Sequence, residues 1–438
     1  MKMDRLMRKR PLLSGFLPLV CLCVILVGCQ PKVYLMPTPS VLATGEINPF
    51  ALNPNLKEEN RVPVFYATNR IPFTSGDDRQ FTIFPDSTLH LGVAHLLIGA
   101  PDTAWERLLQ LSTTSDDDKR PALHLEGLEV ISTVPLGDTE VSQTQAARAF
   151  FDLVNVALAK SLNKDLMVYV HGANSSVYRA SAQAAQFRHF TGRNTVVLAF
   201  LWPSAENLLA YGTDVRHAKK TVPAFARFIK LLAANTRAEK INILAYSAGS
   251  QIVSPGMAVV GQEAEDASSR QALRLGEVYF AAADVGIDTF IDNLQDYLGL
   301  PRAVTLTVNP NDSVLALAEG QNRVSRAGRP KAKDLSAEAR EWAQMASTTG
   351  KFDIIGVDAD SVSGLAAGSH DFWYAHPWIS SDVLLQFSFH ATPVTRGLVE
   401  HREADRVRYW SFPPDYPQRI LGIIRDAAAN ADTAKTKQ

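Results

Sequence analysis

A short serine-containing motif is the first place in the chain where residue types and spacing indicate covalent chemistry. In Ala245-Tyr246-Ser247-Ala248-Gly249 the serine has a small residue two positions away on either side. The apolar run 241–245 before it is typical of a strand buried on both faces. A serine on a sharp strand-to-helix turn exposes its hydroxyl near free backbone N–H groups. The motif therefore predicts a nucleophile, and an ordinary strand-to-helix turn is the alternative.

A nucleophilic serine needs a base, and several histidines offer one. His370 lies in a glycine-bearing loop after the predicted strand 352–357, where the chain order serine, acid, histidine places the base. His376 follows on or beside a helix. Three more histidines lie before Ser247 or after the last predicted core helix: His217, His390 and His401. We predict His370 as the base.

Carboxylates that follow predicted strands can orient that base. Asp312 lies in a polar turn directly after the strand 303–308, and it is the predicted acid. The same position would let it cap the next helix. Asp284, after the strand 278–283, is the rival. Asp358 and Asp360 lie close before His370 and suit loop ordering better.

The predicted oxyanion hole consists of backbone amides. The first is the N–H of Ala248, directly after the serine, and the second is that of Ala173 or Asn174, in the loop after the strand 166–170. Trp202 and Tyr246 are predicted to line the substrate pocket, and a core position is the alternative for the tryptophan.

No metal or organic cofactor is predicted. The three cysteines are Cys21, Cys23 and Cys29, so a chain cleaved before Cys29 would carry no thiol other than its lipidated first residue.

The elements that must position these groups alternate between apolar strands and amphipathic helices. Strands are predicted at 62–68, 88–98, 123–134, 166–170, 195–202, 241–245, 278–283, 303–308 and 352–357. Helices are predicted at 142–162, before 190, at 217–235 and at 373–389. This order predicts an α/β protein with a doubly wound, mostly parallel sheet and helices on both faces. Its ligand crevice is expected at the carboxyl ends of the strands.

Three stretches depart from this alternation. The polar residues 102–119 are predicted to be a surface excursion. The basic loop within 317–347 is predicted to be solvated, with a lid or partner site as the alternative. Pro255-Gly256 is expected to kink or end the helix after Ser247.

The N-terminus predicts a secreted lipoprotein. Residues 1–28 combine a basic start, an apolar run and a small-residue box before Cys29, the predicted lipidation site. A retained signal anchor and cleavage without lipid are the alternatives. Gln30 after the cysteine predicts the outer membrane of a cell envelope, facing the periplasm. We predict a flexible tether at 29–60, one domain at 61–426 and a disordered tail at 427–438.

The charge balance of the chain gives no reason to expect a nucleic-acid partner. Lysine and arginine number 44 against 45 aspartate and glutamate, so no excess of positive charge favours nucleic acid or an anionic membrane surface. The sequence predicts no oligomeric state.

Seven ordered motifs resemble a poorly characterised bacterial family of α/β-hydrolase-fold proteins of esterase or lipase type. They are VFYATNR (64–70), VYVHGANSS (168–176), FLWPS (200–204), ILAYSAGS (243–250), AAADV (281–285), NPNDSVL (309–315) and GSHDFWY (368–374). The resemblance covers about Val62 to Leu385 and implies a Ser-Asp-His hydrolase without implying a substrate. The family usually carries His-Ser-Met-Gly at the serine turn, where this chain has Tyr246-Ser247-Ala248-Gly249.

Taken together, these features predict an envelope-anchored serine hydrolase that cleaves small-molecule or lipid carboxylic esters. Ser247 would attack, His370 would carry the proton and Asp312 would orient the imidazole. The alternatives are an inactive binding or scaffolding lipoprotein of the same fold, and an acyltransferase that uses the same triad.

Overall fold

The structure is a computed structural model that describes residues 32–76, 78–115, 119–402 and 407–436. The predicted signal peptide and Cys29 lie outside the described residues. In the described ranges, no helix has both the length and the apolar content needed to span a bilayer.

A single mixed sheet runs through the molecule, with eleven strands among the described residues. They are β1 (Arg61–Ser75), β2 (Asp78–Ile98), β3 (Leu123–Pro135), β4 (Leu166–Val170), β5 (Val196–Phe200), β6 (Ile241–Tyr246), β7 (Leu275–Ala281), β8 (Ala303–Val308), β9 (Phe352–Gly356), β10 (Val399–His401) and β11 (Tyr409–Ser411). Their spatial order is β10-β11-β9-β8-β7-β6-β4-β5-β1-β2-β3. In this order, every neighbouring pair from β11 to β1 is parallel. At one edge of the sheet β10 pairs antiparallel with β11, and at the other edge β2 pairs antiparallel with both β1 and β3. The predicted fold class is confirmed.

Helices cover both faces of this sheet. They are α1 (Trp105–Thr113), α2 (Glu140–Lys160), α3 (Val177–Phe190), α4 (Tyr211–Asn235), α5 (Ser250–Glu263), α6 (Ala267–Ala272), α7 (Ile287–Tyr297), α8 (Ser313–Asn322), α9 (Ala337–Thr348), α10 (Phe372–Ala375), α11 (Pro377–Phe389) and α12 (Tyr416–Thr436). Side chains of α2, α4, α5, α7 and α9 pack in one apolar core, and those of α1, α3, α11 and α12 pack in another.

Strand β4 shows why its sequence is apolar throughout. Leu166, Val168 and Val170 belong to one core, while Met167 and Tyr169 belong to the other. Successive side chains of a strand point to opposite faces, so a strand covered on both sides needs apolar residues at every position. This continuous pattern made the central strands predictable.

The segment 32–60 is packed against the domain, and the predicted flexible tether is wrong for these residues. Its buried apolar side chains are Leu35, Met36, Val41, Leu42 and Phe50. Leu35 N donates to Pro121 O at 2.8 Å, and Val41 N donates to Ser381 Oγ at 3.1 Å. The composition, rich in Pro, Asn and Thr, concealed these anchors because they follow no helix or strand period.

Two further predictions, one for a surface segment and one for a helix, are corrected. The expected surface excursion 102–119 contains α1, which buries Trp105, Leu108 and Leu111. Helix α5 continues through Pro255 to Glu263, so the expected early end is wrong.

The C-terminal part of the chain holds elements that the sequence patterns did not predict. These are β10, β11 and α12, and α12 extends to Thr436, into the stretch predicted to be a disordered tail.

Candidate active site

Ser247 lies on a tight turn between β6 and α5. Its φ is +51°, a left-handed conformation that is strained for a residue with a side chain. Neighbouring glycines make room for the turn. A Cβ on Gly249 would lie 2.5 Å from Val170 O, and one on Gly172 would lie 2.9 Å from Ser247 Cβ. Small residues are needed here because the turn passes directly over the end of β4.

The structure brings Ser247, His370 and Asp312 together at the carboxyl ends of the parallel strands. His370 Nε2 is 2.8 Å from Ser247 Oγ, and His370 Nδ1 is 2.7 Å from Asp312 Oδ2. Asp312 is fully buried. An ionised carboxylate at Nδ1 favours the tautomer whose Nε2 accepts the serine proton. The arrangement has the hydrogen-bond order that activates a serine hydroxyl.

Asp312 also caps α8. Its Oδ1 accepts a hydrogen bond from Leu315 N at 2.9 Å, so the capping role expected as the alternative is present together with the contact to His370. The histidine loop is tied to the same turn, because Asn309 Nδ2 donates to Ser369 O at 2.8 Å and Ser313 N donates to Gly368 O at 3.2 Å. These bonds hold the acid and the base at a set separation.

Asp284, the rival acid, belongs to a different network. Its Oδ1 is 2.6 Å from Arg326 Nε, and its Oδ2 accepts hydrogen bonds from Tyr211 Oη and Gln251 Nε2. Burial raises the pKa of the Asp284 carboxyl, and the Arg326 guanidinium opposes that rise. The backbone N–H of Asp284 donates to Ser247 O at 3.1 Å. Asp284 therefore supports the backbone of the serine turn, and Asp312 is the carboxylate bonded to His370.

The basic loop within 317–347 is only partly solvated. Arg326 is buried against Asp284, which contradicts the predicted solvated surface at that position. Backbone hydrogen bonds from Gly328 N to Ala283 O, at 2.9 Å, and from Ala327 N to Val285 O, at 2.8 Å, fasten the segment beside the end of β7. The composition of the loop could not show that Arg326 pairs with Asp284, because an ion pair between distant segments leaves no local sequence pattern.

One predicted oxyanion donor is already engaged. Asn174 N donates to Asp214 Oδ2 at 3.0 Å, so this amide is directed at a carboxylate and the prediction for Asn174 is wrong. Among the described residues, the amide of Ala173 has no hydrogen-bond acceptor. Ala173 and Ala248 remain the candidate donors, one from each side of the serine turn.

Two buried charges hold the loops around the site, and the sequence analysis missed both. Asp214 accepts hydrogen bonds from Asn174 N, Ser204 Oγ and Ala205 N. Arg70 is fully buried, and its guanidinium donates to Trp202 O and to a carboxylate oxygen of Glu206. The available signal was weak for Asp214, which lies just before the predicted helix 217–235, where an acidic residue is ordinary.

Trp202 is a core residue. It is 0% exposed, its ring stacks on His171 at 5.2 Å between centroids, and its Nε1 donates to His171 O at 2.7 Å. The prediction that it lines the substrate pocket is wrong. Burial lowers the pKa of His171 to about 3, so this ring is neutral and, through Nδ1 and Gly172 O, orders its own loop.

Tyr246 packs beside the base. Its ring centroid lies 5.4 Å from that of His370 and 5.8 Å from that of Tyr374. The tyrosine is largely buried.

No set of three or more His, Cys, Asp or Glu side chains in the described ranges is placed to hold a metal ion.

A comparison with known protein families finds a match for the chain. A family model described as "Alpha/beta hydrolase of unknown function (DUF900)" matches residues 146–367, slightly more than half of the chain. The match includes Ser247 and Asp312 and ends before His370. No curated protein matches the chain.

A solved structure is also similar, namely a tributyrin phosphonate complex of esterase B from Lactobacillus rhamnosis. It is 13% identical, with 64% of this chain and 82% of that chain covered, at a TM-score of 0.27. A TM-score at this level does not support a transfer of function.

Proposed function

We propose, from the premise that the chain belongs to this family of α/β hydrolases of unknown function, that it is a serine hydrolase of carboxylic esters. The observation that carries the proposal is the continuous hydrogen-bond chain from Ser247 through His370 to Asp312. A strained serine, an imidazole nitrogen within hydrogen-bond distance of it and a buried carboxylate in this order are the parts that acyl transfer requires.

In the proposed reaction, Ser247 Oγ attacks the ester carbonyl carbon while its proton moves to His370 Nε2. Asp312 stabilises the imidazolium that forms. The oxygen that becomes negative is bound by the amides of Ala248 and Ala173. His370 then protonates the leaving alcohol. A water molecule next attacks the acyl carbon while giving a proton to His370, and His370 passes that proton to Ser247 Oγ as the acid is released.

In this reaction the alcohol of the ester leaves after a proton transfer from His370. The site needs no metal for that step, since the serine supplies the nucleophile and the amides stabilise the charge.

The proposed location is the cell envelope, with the chain anchored by a lipid on Cys29 at the outer membrane, facing the periplasm. The order of basic residues, apolar run and cysteine box supports it. Cells grown with an alkynyl palmitate analogue should label the wild-type protein and should not label Cys29→Ser. Equal labelling of both forms would contradict lipidation at this residue.

The enzyme proposal is tested with a fluorophosphonate probe and p-nitrophenyl esters. The wild-type protein should be labelled and should turn over the esters, whereas Ser247→Ala should lose labelling and His370→Gln should lower kcat by about 10⁴-fold. Ser268→Ala, at an exposed position of α6, is the matched control and should behave as wild type. Labelling that persists in Ser247→Ala, or a folded wild-type protein that the probe does not label, would refute the proposal.

A further inference from the structure

A cavity lies near the amino ends of β1 and β5, whereas Ser247 lies at the carboxyl ends of the parallel strands. Its volume is about 440 Å³, within the range of about 300–1,000 Å³ that small-molecule sites occupy. Its lining includes Pro63 to Phe65 at the start of β1 and Arg193 just before β5. Ser247 follows the carboxyl end of β6, which is parallel to these strands through β4 and β5. The cavity is therefore separate from the proposed active site.

The lining of this cavity carries an excess of positive charge. Its basic side chains, apart from a histidine, are Lys57, Arg61, Lys160, Arg188 and Arg193, and its one carboxylate is Glu59. Arg61 is neutralised by Glu126 at 2.9 Å. Among the described residues, no carboxylate lies within ion-pair distance of Arg188 or Arg193. The site thus has a net attraction for an anion.

Arg188 and Arg193 both line the cavity. Arg193 is 9% exposed, and its guanidinium lies over the Trp105 ring at 5.1 Å from the centroid. Its Nη1 donates to Lys57 O at 3.1 Å and its Nη2 to Glu59 O at 2.7 Å, while its buried Nε has no hydrogen-bond partner among the described residues. Arg188 donates through Nη1 to Pro63 O, and the described residues provide no acceptor for its other N–H groups. Burial lowers the pKa of both guanidinium groups to about 10, and the charge of Arg188 adds to the effect at Arg193. A bound anion would relieve this repulsion.

Apolar side chains also line the cavity. Phe65 and Val93 face it from the sheet, and Leu153 and Val156 face it from α2. The last two are 44% and 52% exposed. A ligand with an apolar portion would cover them.

We propose that this cavity binds an anionic amphiphile, a carboxylate or phosphate on a short apolar chain. The anionic group lies against Arg188 and Arg193, and the chain lies along Leu153 and Val156. The segment 53–61 supplies the remaining wall, so the ligand would also hold that segment against the sheet.

Calorimetric titration of the full-length protein tests the ligand class with four probes. Decanoate and decyl phosphate should bind, and the stronger of the two identifies the preferred head group. Decanol, which lacks the charge, and inorganic phosphate, which lacks the chain, should bind at least about tenfold more weakly. Equal binding of decanol and both anions, or no binding of either anion at about 1 mM, would overturn the proposal. The titration measures binding and not ester turnover, so a negative result leaves the hydrolase proposal intact.

Variants locate the site. Arg188→Gln should weaken binding of the anions about tenfold, and Val156→Glu should do the same by placing a negative charge on the apolar wall. The matched controls are Arg148→Gln and Val141→Glu, both exposed on α2 and outside the cavity lining, and each should stay within about twofold of wild type. Because Val156 is exposed, Val156→Glu is expected to fold. It therefore tests the location of the binding site even if Arg188→Gln does not fold. Affinities in Val156→Glu equal to those of its control would refute the assignment.

Discussion

Asp214 accepts hydrogen bonds from the backbone of two loops that meet beside Ser247. Its carboxylate fixes Asn174 N on one side and Ala205 N on the other, and it is almost fully buried. Burial raises the pKa of the Asp214 carboxyl, while the hydrogen bond from Ala205 N opposes that rise. Because Asn174 follows Ala173 directly, Asp214 is a positioning residue for the proposed oxyanion donor.

We predict that Asp214→Asn lowers kcat for p-nitrophenyl esters by about 10- to 100-fold with a smaller change in KM, because a shifted amide weakens binding of the transition state. Asp152→Asn, at an exposed position on α2, is the control and should leave kcat unchanged. A kcat in Asp214→Asn within twofold of wild type, in a folded protein, would show that the amide does not depend on this carboxylate.

The end of α11 is joined to two strands by an ionic cluster. His390 follows the helix with φ +49°, and its ring lies 3.0 Å from Asp165 Oδ2, before β4, and 3.2 Å from Glu277 Oε1 on β7. Arg302 also approaches Glu277 at 3.2 Å and donates to His390 O. Hydrogen bonds to the two carboxylates raise the pKa of His390 from 6.5 to about 9. This cluster fastens a helix of one face to the amino ends of the central strands.

The raised pKa makes stability depend on pH in one direction. Folding favours protonated His390, so its contribution is complete below about pH 6.5 and is lost as the pH rises through about 9. After allowance for partial exposure, we expect about 1 kcal/mol. Urea unfolding at pH 6.5 and 9.5 should show this loss in the wild type and not in His390→Gln.

His124→Gln, at an exposed position on β3, is the control and should retain the wild-type pH profile. A His390→Gln profile parallel to that of the wild type would contradict the assignment.

An apolar core lies on each face of the sheet. The segment 32–60 contributes to the core that contains α3 and α11. Phe50 is 2% exposed, and its ring lies against Trp105 and His189 at 5.5 and 4.9 Å between centroids. The domain therefore begins well before β1.

We predict that Phe50→Ala lowers the free energy of unfolding by about 3 kcal/mol, because it leaves a cavity in a packed core. Leu52→Ala, at a side chain that is 65% exposed, should change it by less than about 0.5 kcal/mol. Urea denaturation of the two variants measures both values. Similar small effects at the two positions would indicate that the segment is only loosely attached.

The sequence by itself determined the central architecture and the candidate residues for the serine site. Strands covered on both faces must be apolar throughout, so β4, β6 and β8 were readable from local composition. Ser247, Asp312 and His370 each follow a predicted strand, and parallel strands bring their carboxyl ends to one edge. A general rule of sheet geometry therefore linked residues that are far apart in the chain.

Only the tertiary structure decided which polar groups are already engaged. It directed Asn174 N to Asp214, paired Asp284 with Arg326, and buried Trp202 against His171. It also packed 32–60 on the domain. Each outcome depends on a contact between distant segments with no repeating pattern. A residue's type states which bonds it is able to make, and only the folded neighbours determine which bond it makes.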